Sequence, residues 1–291
     1  MILFTRPLGA VSETLQFQTA VSVSRDGSEL RSSLRAAPRL TFSGSVIFDS
    51  LAEEALAALR EGRSVWLPLR HAPMRKLGGA FTPTDSPATP HPWCILAMPT
   101  GELELHPTTT TGNAPAVGAT AAWPAIEVQL SGDSSTVSPV FNTHTATMAL
   151  ESVLPYRSYS SPSPAGAGSG SASSEASPLL APPFIGVNHV AALKRSTVSN
   201  LGSFDVGYKR ESLVRFQKDT VQLGIPLFSL EEVNEFRNFV CALRGAAGSF
   251  IWQEPETLEP KLWRLASDAI QLQHYTEGVA TANVAFTCLG A

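Results

Sequence analysis

The side chains most often used in catalysis or metal binding are scattered along this 291-residue chain. None of the six histidines forms an HxH, HExxH or His-x3–5-His pair, the spacings typical of zinc sites. No GxSxG segment is present, so a serine nucleophile of the hydrolase type is not predicted. The glycines of 166–170 lie in low-complexity sequence rather than between a strand and a helix, which argues against a phosphate-binding loop.

Paired carboxylates are the remaining candidates for acid and base chemistry. Glu53-Glu54 and Glu231-Glu232 are adjacent acids of the kind a glycosidase uses, but each pair closely follows a serine that begins a predicted helix. Negative charge in a first helical turn is stabilised by the helix dipole, which explains both pairs without catalysis. We therefore expect no enzyme, no catalytic residue and no cofactor.

The three cysteines, Cys94, Cys241 and Cys288, are too few and too dispersed for a disulfide scaffold. Small buried hydrophobes explain them, because Cys241 lies among apolar residues of a predicted helix and Cys288 alternates with Phe286 in a predicted strand. A metal shared by the three and completed by a histidine stays an open alternative. The cysteine usage and the short apolar opening, ended by Arg6, predict folding in a cytosol without a leader or a membrane anchor.

Four charged residues stand along one predicted strand edge after an Asp-Gly turn: Glu29, Arg31, Arg35 and Arg39. Odd positions of a regular strand share one face. A solvated face is one explanation of these charges. The other is a seam between subunits, in which the planar fork of arginine pairs with carboxylates of a neighbour. The four residues are therefore candidate intersubunit contacts.

The clearest boundary in the chain is 158–183, a tract of serine, glycine, alanine and proline that cannot bury enough apolar surface to offset its ordering entropy. About twenty-four residues on its two sides align without a gap when the second half is moved back by 179 positions. Arg31–Phe48 then falls on Arg210–Leu227, and both end in the alternation of a strand with one buried face. We favour a duplication over chance because further features recur in the same order.

Each copy continues with a capped helix and a strand that contains tryptophan. Ser50 and Ser229 each begin the Ser-x-x-Glu spacing of a capping box. The helices predicted from there, 50–60 and 229–243, have one apolar side and end before a glycine. The repeated unit is therefore two strands, a capped helix and a further strand.

Composition agrees with a protein built from strands. There are 22 prolines and 21 glycines but only 16% charged residues, which disfavours an all-α protein, and a formal charge of −4 argues against nucleic-acid coating. We predict a mainly β (α+β) protein with two β-sandwich or barrel domains, each with one flanking helix. The first spans 1–157 with an inserted loop-rich region at about 71–150, a linker or exposed loop spans 158–183, and the second domain spans 184–291.

The repeated pattern resembles minor tail proteins of long-tailed bacteriophages, of the distal-tail or tail-hub type. The similarity lies in Asp26–Arg39, with its Glu-x-Arg, Arg and Pro-Arg elements, and in Phe239–Trp252, where a helix is followed by arginine-glycine and a large aromatic strand. It covers about 31–70 and 197–291 and leaves the middle of the chain uncovered.

The resemblance implies tail-tube-like domains and a structural function in a tail tip or baseplate, as a ring that joins the tail tube to the tip and leaves a lumen for DNA. It also implies partners: further copies of the chain, as a trimer with pseudo-sixfold symmetry or a hexamer, the tail tube protein above, and hub or receptor-binding tip proteins below. DNA would pass only transiently. The expected location is the virion tail, after assembly in the host cytoplasm.

The alternative is a glycan-binding β-sandwich involved in host recognition. Such a protein needs aromatic side chains exposed in a groove, which Trp93, Trp123, Tyr156 and Tyr159 of the uncovered region could supply. A glycoside hydrolase would further require two carboxylates about 5–10 Å apart beside that groove.

Overall fold

A computed structural model describes residues 2–4, 8–23, 29–35, 37–48, 50–70, 93–107, 119–140, 143–154, 179–185, 192–206, 209–253, 259–276 and 278–289. In this part of the chain the protein is mostly β with two α-helices, which confirms the mainly β prediction. Neither of these helices has the length and apolar character needed to cross a membrane.

Nine described strands precede residue 158: β1 (Gly9–Gln16), β2 (Thr19–Val23), β3 (Glu29–Ser33), β4 (Arg39–Phe48), β5 (Val65–Pro68), β6 (Trp93–Ala97), β7 (Leu103–Pro107), β8 (Ala121–Val140) and β9 (Thr143–Ser152). Seven described strands follow: β10 (Leu179–Leu180), β11 (Ala192–Val206), β12 (Lys209–Leu227), β13 (Phe250–Gln253), β14 (Pro260–Leu265), β15 (Ala269–Thr276) and β16 (Val279–Cys288). Helix α1 (Ser50–Arg60) follows β4, and α2 (Leu230–Leu243) follows β12, at the two places where helices were predicted.

Two predicted boundaries differ from the observed elements. The described part of 71–150 is mostly strand rather than loop, because β6, β7, β8 and most of β9 lie in it. The predicted linker 158–183 is described only from 179 onward, where β10 pairs in parallel with β13. The division into two domains stays a prediction.

Fourteen of the described strands form one mixed sheet, in the order β10-β13-β14-β16-β15-β1-β4-β9-β8-β6-β7. Strand β12 pairs with β16 and with β11, β5 pairs with β8, and β2 and β3 form a separate hairpin. Strand β1 is the joint of this sheet, because it pairs antiparallel with β4 of the first half on one edge and with β15 of the second half on the other.

Helix α2 shows how the local sequence sets an element. Ser229 is extended, and its hydroxyl accepts a hydrogen bond from the Glu232 amide at 3.1 Å, as the capping-box prediction requires. The Glu232 carboxylate accepts from the amide of Phe228 at 2.7 Å, one residue before the cap. The helix ends at Arg244, which is left-handed with φ 55°.

One core cluster contains buried apolar residues from both halves of the chain. In the second half its centre is a set of edge-to-face aromatic contacts, with ring centroids 4.9 to 5.3 Å apart, among Phe239, Phe250, Trp252, Trp263 and Phe286. Helix α1 packs on β4, β5 and β8, and α2 packs on β12 and β16. Cys94, Leu96 and two alanines form a smaller cluster beside β6 and β8.

Candidate functional site

Glu29 and Arg31, two of the predicted intersubunit residues, lie on β3 and contact the second half of their own chain. Arg31 donates from Nε to Glu29 Oε2 at 3.0 Å and from Nη1 to the Ala246 carbonyl at 3.3 Å. Arg264 on β14 donates to the same Glu29 oxygen at 3.3 Å. Burial and the charge of Arg31 lower the pKa of Arg264, and Glu29 opposes that shift. This group therefore holds the β2–β3 hairpin against the second half.

Arg35 and Arg39 lie elsewhere. Arg39 on β4 donates from Nη1 to Glu151 Oε1 on β9 at 2.7 Å, and its side chain is 52% exposed. Arg35 is half-buried, and its carbonyl accepts from the Ser33 hydroxyl at 2.7 Å. The structure thus brings Glu29 and Arg31 together but not the four residues. Their assignment to a subunit boundary stays a prediction.

The most buried polar group of the described chain was not predicted from the sequence. Glu13 on β1 accepts from Arg237 on α2 with both carboxylate oxygens, one of these bonds being Nε to Oε1 at 3.1 Å. His274 Nε2 on β15 lies 2.9 Å from Glu13 Oε2. The three side chains are only 2 to 4% exposed. Because Glu13 belongs to the first half and its two partners to the second, the cluster fastens the halves at the β1–β15 joint.

The neighbours of this cluster support a structural role. Arg237 Nη1 donates to Asn234 Oδ1 at 3.1 Å, which orients the guanidinium from within the helix. Burial, with a smaller contribution from the Glu13 charge, raises the pKa of the nearby Cys241 thiol to about 12, while Arg237 opposes the shift. A thiol with that pKa is uncharged near neutral pH and is a poor nucleophile.

A pocket of about 200 Å³ opens next to the cluster, lined by residues that include Phe42, Leu67, Arg70 and His274. Glu13 contacts His274 beside this pocket, and both of its carboxylate oxygens accept hydrogen bonds from Arg237. The geometry gives this carboxylate the role of an ion-pair partner of the buried guanidinium.

Asp268, which precedes β15, is a second joint between the halves. Its carboxylate accepts from the Thr19 amide at 2.7 Å, from the Thr19 hydroxyl at 2.8 Å and from the Ala246 amide at 2.9 Å. Its carbonyl accepts from the Phe17 amide at 2.8 Å. The start of the β2–β3 hairpin is thereby tied to the turn before β15 and to the turn after α2.

The aromatic residues expected of a glycan-binding groove have partners within the chain. The Trp93 ring lies 5.6 Å from that of Trp66, and the guanidinium of Arg70 lies 4.6 Å from the centre of the Trp123 ring. Tyr156 and Tyr159 fall outside the described residues. Glycan binding stays a prediction.

The three cysteines belong to two separate apolar clusters. Cys94 belongs to the small cluster beside β6, where burial raises its pKa to about 11, while Cys241 and Cys288 pack against the large core. In the part of the chain that the structure describes, no group of three or more His, Cys, Asp or Glu side chains gathers in a way that would hold a metal ion.

Two strand edges are unpaired within the described residues. From residue 129 onward β8 pairs with β9 along one edge, and no described strand pairs with its other edge. Strand β11 pairs with β12, and again no described strand pairs with its other edge. An unpaired edge presents a row of backbone donors and acceptors that another strand can complete.

No known family model and no curated protein matches this chain.

Proposed function

We propose that this protein is a structural component of a bacteriophage tail tip or baseplate, a distal tail ring or hub that joins the tail tube to the tip and leaves a lumen for DNA. The observation that carries the proposal is the β1–β15 joint, in which a strand of one half completes the sheet of the other half. The same pairing repeated between chains would join two different surfaces, and such a head-to-tail contact builds a ring where the rotation between neighbours closes.

The proposal includes two tail-tube-like units in each chain. Each half has a pair of antiparallel strands, β1 with β4 in the first and β11 with β12 in the second, followed by a helix and a short strand, β5 or β13. Three chains would then supply six comparable units, which matches a sixfold tube. Six chains, with the second unit outside the ring, would match it as well.

The partners follow from that position. The tail tube protein would contact one face of the ring and the hub or receptor-binding tip proteins the other. An acidic chain suits a conduit, because a basic wall would hold DNA by releasing its counterions. DNA would therefore be a transient occupant, and the protein would reside in the virion tail after assembly in the host cytoplasm.

The test is the native mass of the purified chain over a range of concentrations, with negatively stained images of any assembly. We expect a species of three or six chains, seen as a ring with a central hole. A chain that stays monomeric at high concentration and after addition of the tail tube and tip proteins would overturn the proposal.

A further inference from the structure

We propose that copies of this chain join head to tail by strand pairing, with residues 194–198 of β11 in one copy antiparallel to residues 134–138 of β8 in the next. In this register Ser196 lies directly opposite Thr136 of the neighbouring copy. The inference names the surface through which the proposed ring closes, and its biological meaning rests on that proposed function.

Strands β4 and β12 have corresponding partners on both of their edges. Thr41 of β4 lies opposite Thr14 of β1 on one edge and opposite Glu151 of β9 on the other. The residue 179 positions later, Thr220 of β12, lies opposite Ser196 of β11 and Thr287 of β16. Strand β11 therefore occupies the same position relative to β12 that β1 occupies relative to β4, and Ser196 corresponds to Thr14.

The strands that pair with β9 and β16 on their other edges also correspond. Four residues before Glu151, Thr147 of β9 lies opposite Thr136 of β8. Four residues before Thr287, Asn283 of β16 lies opposite Gln271 of β15. The last part of β8 therefore occupies the same position relative to β9 that β15 occupies relative to β16, and Thr136 corresponds to Gln271.

The strands after the helices give the same correspondence independently. Val65 of β5 lies opposite Val128 of β8, and Val128 lies opposite Ser152 of β9. In the second half Phe250 of β13 lies opposite Trp263 of β14, and Trp263 lies opposite Cys288 of β16. Since Ser152 and Cys288 directly follow Glu151 and Thr287, one register relates the two halves from β5 and β13 through to β9 and β16.

The joint between the halves exists once in each chain. Thr14 of β1 lies opposite Gln271 of β15, and the pairing runs from Ser12 to Gln16. The matching residues, Ser196 and Thr136, belong to the two edges that no described strand pairs with. One joint is thus formed inside the chain, and the two strand edges with the corresponding registers are left for another copy.

The described side chains in the last part of β8 are exposed, as expected of a strand edge that binds another strand. Thr136, Val137 and Ser138 are all exposed, although they are consecutive residues of a strand. Asp133 stands three residues before Thr136, as Asp268 stands three residues before Gln271. Asp268 is the residue that binds the incoming hairpin at the internal joint.

The contact uses two different surfaces of the same chain, so it is heterologous, and it builds a ring where the rotation between neighbouring copies closes. A strand with its partner edge occupied also has no exposed edge through which to aggregate.

Cysteine cross-linking tests the register. Directly opposed residues of an antiparallel pair lie within the Cα separations that a disulfide spans. We expect a mixture of T136C chains and S196C chains to give covalent dimers on mild oxidation, and the double variant to give a ladder that ends at the ring size. The matched control mixes T136C with T197C, because neighbouring residues of a strand face opposite sides of the sheet, and we expect roughly tenfold less cross-linking there. The parent chain reports any cross-linking through the native thiols.

Four outcomes separate this inference from the proposed function. Rings with the T136C–S196C cross-link support both. Rings without it, or with equal cross-linking of T197C, overturn the strand-edge contact and leave the ring function standing. The specific cross-link in open chains that never form a ring supports the contact and overturns the ring. A monomer without any cross-link overturns both.

Discussion

Replacing Glu13 with glutamine is the sharpest test of how the two halves are held together. The substitution keeps the size of the side chain and removes one charge, so Arg237 loses its carboxylate partner at a site where both side chains are at most 4% exposed. Removing one partner of a buried ion pair costs about 3–5 kcal/mol, because the remaining charge is left desolvated. We expect E13Q to lower the free energy of unfolding by that amount.

The same substitution at Glu151 is the matched control. Glu151 also pairs with an arginine across two strands, at 2.7 Å from Arg39, but the two side chains are 22% and 52% exposed. Exposed ion pairs contribute about 0–1 kcal/mol, so E151Q is expected to change stability by no more than that. Urea unfolding followed by far-ultraviolet circular dichroism gives both values. If E13Q costs no more than E151Q, the buried cluster does not fasten the halves.

Three further predictions concern the joints and the core. G245A should lower the free energy of unfolding in urea by about 3 kcal/mol, because Gly245 has φ +68° and an added Cβ would lie 2.6 Å from the Phe17 Cβ. G62A is the control and should cost about 1 kcal/mol, because Gly62 has φ +76° but open space around an added Cβ. Equal costs would contradict the close approach of Phe17 to Gly245. Asp268→Ala should destabilise the monomer by about 2–4 kcal/mol in urea unfolding through its lost hydrogen bonds, and an unchanged free energy of unfolding would contradict this. Asp133→Ala should weaken ring formation, and a ring of normal stability in D133A would count against the correspondence with Asp268. Cys241 should resist iodoacetamide at pH 8 until the chain unfolds, and rapid alkylation of the native chain would show that the thiol is not buried. Its pKa is about 12 in the folded chain and about 8.5 in the unfolded chain. The contribution of this thiol to stability is therefore full below about pH 8.5 and is lost as the pH rises toward 12.

Features that depend on neighbouring residues were predictable from the sequence. The capping serine at 229, the apolar side of α2 and the alternation of β12 are all properties of short segments, and each has a physical cause within a few residues. The structure confirms both helices and the mainly β fold. The extent of strand in 93–152 was underestimated because β8 contains Pro124, Gly132 and Pro139, residues that are usually signals of turns.

The buried cluster escaped prediction because its members are far apart in the chain. Glu13 is 224 residues from Arg237 and 261 from His274, and no local pattern links them. A signal was nevertheless present. Glu13 occupies a buried position of an alternating strand two residues before Leu15, and Arg237 occupies the apolar side of α2 four residues after Val233. Two opposite charges at core positions of different elements predict a buried pair, although the pattern does not say which elements meet.

The composition of the unpaired β8 edge affects when copies of the chain would assemble. Residues 134–138 are four hydroxyl-bearing side chains and one valine, followed by Pro139, whereas the internal acceptor strand β15 carries Ile270 and Leu272, both buried. A polar edge that ends at a proline is a poor template for unrelated strands, because it offers little apolar surface and lacks one backbone donor. Under the proposed pairing, selectivity would then come from the register together with Asp133 of β8 and the paired strands β11 and β12. The internal pairing of β1 with β15 includes buried apolar residues and the buried Glu13–Arg237 ion pair, so it forms as the chain folds. The proposed external contact would have a weaker edge, and its formation would depend on the concentration of chains.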